Sequence, residues 1–103
     1  MPTKDEPKTA CRTPAEGRTG VTNISTWKYE SLCDAILAAI KDSGADGLAF
    51  KELREAVRLK LSEDELSRMG KLGWHVTTVK LNMEVDGEIL RVEGATPQRL
   101  IVV

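Results

Sequence analysis

Residues 71–85 constrain this chain more than any other stretch, because their two readings lead to different folds. At about 100° per residue, Leu72, Val76, Val79 and Met83 form one apolar stripe of a helix. At period two, Val79, Leu81, Met83 and Val85 alternate with Lys80, Asn82 and Glu84. Asp86-Gly87 is then the turn of a hairpin into Ile89-Leu90-Arg91-Val92. The helical stripe is the longer one, and it gives Gly87 a role as C-terminal stop. A helix over 74–85 is therefore expected, with Val76, Val79 and Met83 buried. A strand over 79–85 paired with 88–92 is the competing outcome.

The neighbouring segments read more simply. Tyr29, Leu32, Cys33, Ile36, Leu37 and Ile40 recur at helical spacing over 27–41, with Ala35, Ala38 and Ala39 as helix formers that let a neighbour approach closely. Ser25 or Thr26 suits the start of that helix and Gly44 its end. After the Asp46-Gly47 turn and a short Leu48-Ala49-Phe50 stretch, a second helix over 51–60 places Phe50, Leu53, Val57 and Leu61 on one face. Lys51, Arg54 and Arg58 lie on its other face. Ser62 and Glu65 form a capping box that opens a short helical turn through Leu66 and Met69, closed by Gly70. Two β-rich runs, 88–92 and 99–103, are joined by the turn-forming residues 94–98 and make a closing hairpin.

Residues 1–23 carry Pro2, Pro7, Pro14, Gly17, Gly20 and five threonines, with few large apolar groups. Burial there is too small to offset ordering entropy, so a disordered tail is expected, followed by one domain over 24–103. Cys11 in that tail and Cys33 in a helix are read as free thiols, which fits a reducing compartment. The start has no apolar core of a secretory signal, and no run reaches the ~20 apolar residues of a membrane helix. A cytoplasmic protein with no membrane contact is expected.

The order helix, short strand, helix, helix, hairpin resembles a winged helix-turn-helix domain over 27–103. Val76-Thr77-Thr78-Val79, with Met83, Gly87 and Ile89, resembles a recognition helix, its terminating glycine and the first wing strand; the loop 94–98 stands at the wing tip. The expected class is α+β and winged-helix-like: three main helices, a short helical turn and a C-terminal two-stranded wing. One departure is the linker 61–70, longer than the three or four residues usual between the two central helices. More narrowly, Trp27-Lys28-Tyr29-Glu30, Ala35-Ile36-Leu37 and Gly73-Trp74-His75-Val76-Thr77-Thr78-Val79-Lys80-Leu81 are similar to a small family of uncharacterised bacterial proteins. That likeness implies a bacterial source and brings no activity with it.

Two functions fit this reading. With the core stripe turned inward, Lys71, His75, Thr78 and Asn82 share a polar flank of the last helix, suited to phosphates and base edges of duplex DNA. Lys51, Arg54 and Arg58 would add phosphate contacts, with Arg91 and Arg99 from the wing. A plain solvated flank would show the same mixture. Alternatively, Trp74, Leu81 and Val85, opposite the core stripe, form an apolar contact for another protein or a second copy of this one. Glu84, Asp86, Glu88 and Glu93 would repel phosphate, and residues 24–103 hold 11 basic against 13 acidic groups. An enzyme is not expected: no Gly-rich phosphate loop, supported nucleophile or carboxylate pair is present. The single His75 and the absence of C-x-x-C give no reason to expect a metal or cofactor.

Overall fold

The computed structural model describes residues 7–12, 20–44, 46–94 and 98–103. Its elements are β1 (Lys8–Arg12), β2 (Val21–Ser25), α1 (Thr26–Asp42), β3 (Leu48–Ala49), α2 (Phe50–Arg58), α3 (Glu63–Met69), α4 (Leu72–Asp86), β4 (Ile89–Arg91) and β5 (Arg99–Val102). The class is α+β, with four helices and two small antiparallel sheets among the described residues.

Helix α1 buries Leu32, Ala35, Ile36, Ala39 and Ile40, a stripe at i, i+3, i+4, i+7 and i+8. Its end is closed by Ser43, whose backbone N–H and hydroxyl both donate to the Ile40 carbonyl. Helix α2 is amphipathic, with Leu53 and Val57 inward and its charges outward. The capping box forms as the sequence implies: the Glu65 N–H donates to Ser62 Oγ, and the Ser62 N–H to Glu65 Oε1. Helix α4 is helical throughout, and Val76, Val79 and Met83 are buried. It ends in a left-handed Gly87, with the Gly87 N–H on the Glu84 carbonyl and the Glu88 N–H on the Met83 carbonyl.

The closing hairpin gains a third strand. β3 pairs with β5 through Leu48↔Leu100 and Ala49↔Arg99, so the sheet order is β3-β5-β4 rather than two strands alone. Gly47 makes this possible. Its φ is +83°, and a Cβ there would lie 2.4 Å from the Leu100 carbonyl oxygen. Gly47→Ala is expected to cost about 1–3 kcal/mol from backbone strain alone, read as a lower urea midpoint. An unchanged midpoint would mean that Gly47 holds neither the left-handed backbone nor its close approach to Leu100.

The expectation of a disordered tail is corrected over its described parts. β1 and β2 pair in register Thr9↔Ile24 and Cys11↔Thr22, and both Cys11 and Ile24 are buried in the common core. The tail also supplies what α1 lacks. No side chain caps α1, but the Thr26 N–H donates to the Pro7 carbonyl, and Thr9 and Thr26 share a hydroxyl hydrogen bond of 2.9 Å. The described fold thus includes β1 and most of β2 ahead of residue 24. Residues 1–6 and 13–19 of the expected tail, and 95–97 of the expected wing tip, lie outside the described residues.

Trp27 packs against the core and lies under two cations, with Arg68 Cζ 4.7 Å and Lys28 Nζ 5.8 Å from its ring. Lys28 also donates to the Met69 carbonyl, so the end of α3 is fastened to the start of α1. Among the described residues, no helix is long and apolar enough to cross a membrane.

Candidate functional site

Helix α4 is packed on three sides, and this decides which of its side chains reach solvent. Besides its apolar stripe it buries Thr78, Lys80 and Asn82. The polar flank read from the sequence therefore splits. Lys71 is exposed at the helix start, and His75 is half-buried, with Nδ1 2.8 Å from the Lys71 carbonyl and its ring edge-on to Trp74. Thr78 is 5% exposed and Asn82 3%.

Asn82 is committed inside the fold. Its Oδ1 accepts from the Arg12 backbone N–H at 2.9 Å and from Arg12 Nε at 3.1 Å, while Nδ2 donates to the Tyr29 hydroxyl at 2.7 Å. Arg12 also reaches Asp86 as an ion pair. These partners come from β1 and α1, the elements that cover this flank. The assignment of Thr78 and Asn82 to a DNA contact is corrected accordingly: neither offers a free polar edge to a base.

The basic residues divide in the same way. Arg58 is bonded to Glu55 on its own helix, and Arg91 to Glu84. Arg99 is half-buried and lies in β5 opposite Ala49. Lys51 and Arg54 are exposed on α2. Arg54 is brought to the head of α4, where a Cβ on Gly73 would meet its Cδ at 3.4 Å. Arg54 and Lys71 thus flank the first turn of α4.

The outward face of α4 carries an apolar group beside polar ones. Trp74 is 50% exposed, Val85 44%, and Leu81 is half-buried between them. Thr77, which the sequence reading left out, is exposed on the same arc, about 80° wide at 100° per residue.

Sequence reasoning also missed a buried charge network. Lys80 is 2% exposed, with Nζ 4.4 Å above the Phe50 ring and 2.7 Å from Glu84 Oε2. Oε2 is held by this charge contact alone, without an aligned hydrogen bond, while Oε1 takes Arg91 Nε. Burial lowers the Lys80 ammonium below the usual lysine range, and Glu84 opposes that shift. The i, i+4 spacing of Lys80 and Glu84 was the available signal.

Near Asn82, burial raises the Tyr29 hydroxyl, the Cys11 thiol and the Cys33 thiol, the last to about 11. At neutral pH both cysteines are thiols rather than thiolates, which makes them poor nucleophiles. Among the described residues, no group of three or more His, Cys, Asp or Glu side chains is arranged to hold a metal ion.

A family model matches residues 8–100, and its description is a family of unknown function, DUF6958. The matched span includes β1 and β2. No curated protein and no solved structure matches the chain.

Proposed function

The chain belongs to the DUF6958 family, whose description assigns no activity, and we propose that it is a protein-interaction module of winged-helix type with the outward face of α4 as its contact surface. The architectural part rests on the order α1, β3, α2, α4, hairpin, with β3 bonded to the hairpin's last strand. The interposed α3 accounts for the long linker and is fastened to α1 through Lys28. The functional part rests on one observation. Trp74, Leu81 and Val85 lie together on the outward side of α4, beside the exposed Thr77, while Thr78 and Asn82, suited to base edges, are turned inward. Large apolar groups grouped on an otherwise well-packed small domain mark a contact site more often than a solvated face.

Duplex DNA binding is the second reading. Arg54 and Lys71 at the head of α4 favour it, with Lys51 one turn earlier on α2. The domain's acidic balance and the engagement of Arg58 and Arg91 weigh against it.

Thermal melting of Trp74→Ala with Val85→Ser, beside a duplex titration of the intact protein, tests the proposal. The double variant should lose about 1 kcal/mol or less, as surface changes do. The intact protein should not bind duplex at ~50 mM salt, where non-specific affinity is strongest. A loss of several kcal/mol would make the patch part of the core. Duplex binding that Arg54→Ala and Lys71→Ala weaken would hand the helix to DNA.

A further inference from the structure

We propose that β4 pairs antiparallel with β4 of a second copy across a two-fold axis at Leu90, joining the two three-stranded sheets into one. This contact is additional to the outward face of α4 and does not depend on it. The phase of the ladder is its starting point. The Val92 N–H donates to the Arg99 carbonyl and the Val103 N–H to the Glu88 carbonyl, so Glu88, Leu90 and Val92 are the residues that bond to the β5 side. Ile89 and Arg91 alternate with them, and their N–H and C=O groups point away from β5. The sheet order β3-β5-β4 makes that side an edge, and no backbone group of the described residues bonds to it. Such an edge calls for one kind of occupant, an extended backbone.

The sequence of β4 fits its own edge in one register. A two-fold must set outward groups against outward groups, which restricts the axis to Ile89, Leu90 or Arg91. An axis at Arg91 puts two guanidinium groups directly opposite each other. An axis at Ile89 asks Gly87 to bond to Arg91, yet Gly87 lies outside the strand in a left-handed conformation, with φ +77°. An axis at Leu90 uses strand residues alone. Ile89 of each copy then exchanges both of its bonds with Arg91 of the other, and Glu88 falls opposite Val92, so no like charges face each other.

The side chains agree with that axis. Leu90 is 47% exposed on the face of the sheet turned from the core, directly opposite Ile101 on β5. On the axis it meets Leu90 of the second copy in a pair without hydrogen bonds of its own, the arrangement in which side chains lie closest. A row of Ile101, Leu90, Leu90 and Ile101 then crosses the joined sheet. Arg91 is the charge best placed to guard the edge, but it is drawn onto Glu84 of α4, on the opposite face from Leu90. The pairing therefore leaves the ion pairs of α4 intact and uses none of them.

Sedimentation and amide hydrogen exchange of the full chain test the pairing. The wild type should be dimeric at about 500 µM, a concentration that reaches the weak end of specific interfaces. The Ile89 and Arg91 amides should exchange several times more slowly there than at about 20 µM, while that of Leu90, bonded to β5 within each copy, should change little. Arg91→Pro removes an outward N–H and leaves the β5 ladder in place, because that N–H has no partner there. It should be a monomer, folded by circular dichroism, whereas Arg91→Ala keeps the backbone group and should stay dimeric. A monomeric wild type overturns self-pairing and leaves the edge to a strand of another protein. A dimer whose Ile89 and Arg91 amides exchange alike at both concentrations, or one that Arg91→Pro leaves as tight, overturns the strand pairing. So does an Arg91→Ala variant that dissociates as fully as Arg91→Pro. Should Arg91→Pro fail to fold, Leu90→Lys sets two ammonium groups together on the axis. A monomer is then expected, and a dimer as tight as the wild type overturns the proposal.

Discussion

Glu84→Ala is expected to destabilise the fold by about 3–5 kcal/mol, the cost of leaving a buried charge without its partner. Lys80 and Glu84 have side chains only 3% and 16% exposed, and the ammonium has the Phe50 ring and one carboxylate oxygen as its surroundings. Removing the carboxylate leaves the ring contact alone, worth on the order of 2 kcal/mol in a desolvated site. The effect has a pH signature that a packing loss would lack. Burial already lowers Lys80, so the folded value lies below the unfolded one. For a group shifted this way, the stabilising contribution is complete above the unfolded value, ~10.4, and is lost as pH falls through the folded value. Without Glu84 the depression deepens, so the variant should recover part of its deficit between neutral pH and pH ~10. Urea unfolding at both pH values reads this directly. Lys80→Met with Glu84→Leu should lie close to the wild type, because an apolar pair of similar volume replaces the ion pair. Arg91→Ala should cost under ~1 kcal/mol, since its pair with Glu84 is half exposed. An equal loss at both pH values would show that Glu84 acts through packing.

The parts of the fold that were legible in the sequence are those whose signal is local. The stripe Val76, Val79 and Met83 with its terminating Gly87 fixes α4 as a helix, and Ser62 with Glu65 fixes the start of α3. The N-terminal hairpin was not legible, because its core is borrowed. β1 contributes Cys11 and β2 contributes Ile24, each to a core built by α1 and α4. Val21, Thr22 and Ile24 are residues that favour a strand, but one buried apolar side chain per strand gives no periodicity to mark it, and the hairpin is held by what it covers.

The same omission misplaced part of the candidate site. A helical wheel for α4 fixes the core direction from one stripe and leaves every other direction open. The chain closes two more of them. β1 and Tyr29 cover the side of Asn82, and α2 brings Phe50 over Lys80. Trp74 and Val85 stayed outward because no element among the described residues crosses that arc. This is why the apolar half of the sequence-derived surface is available for contact while much of the polar half is not.

The joint between hairpin and helix predicts the second large effect. Asn82→Ala should lower stability by about 1–3 kcal/mol, because it strands two partners at a part-buried joint. The Arg12 N–H loses its acceptor, and the Tyr29 hydroxyl loses its donor. Asn82→Asp separates the two losses. A carboxylate still accepts from Arg12 but cannot donate to Tyr29, and it adds a negative charge beside Asp86. Because the Tyr29 hydroxyl can turn to donate to the new carboxylate, its cost should come mainly from the second negative charge beside Asp86, with the Arg12 amide still protected from hydrogen exchange. In Asn82→Ala that amide should exchange much faster, ahead of those of α1 and α4, because the hairpin is held to the helix at this point. Removal of residues 1–12 should cost at least as much as Asn82→Ala, since it takes away Cys11, the cap on α1 and the Asn82 partners together. If the truncated chain melted with the full-length protein and the Arg12 amide stayed protected in Asn82→Ala, residues 8–12 would be an inert tail and Asn82 an ordinary buried polar residue.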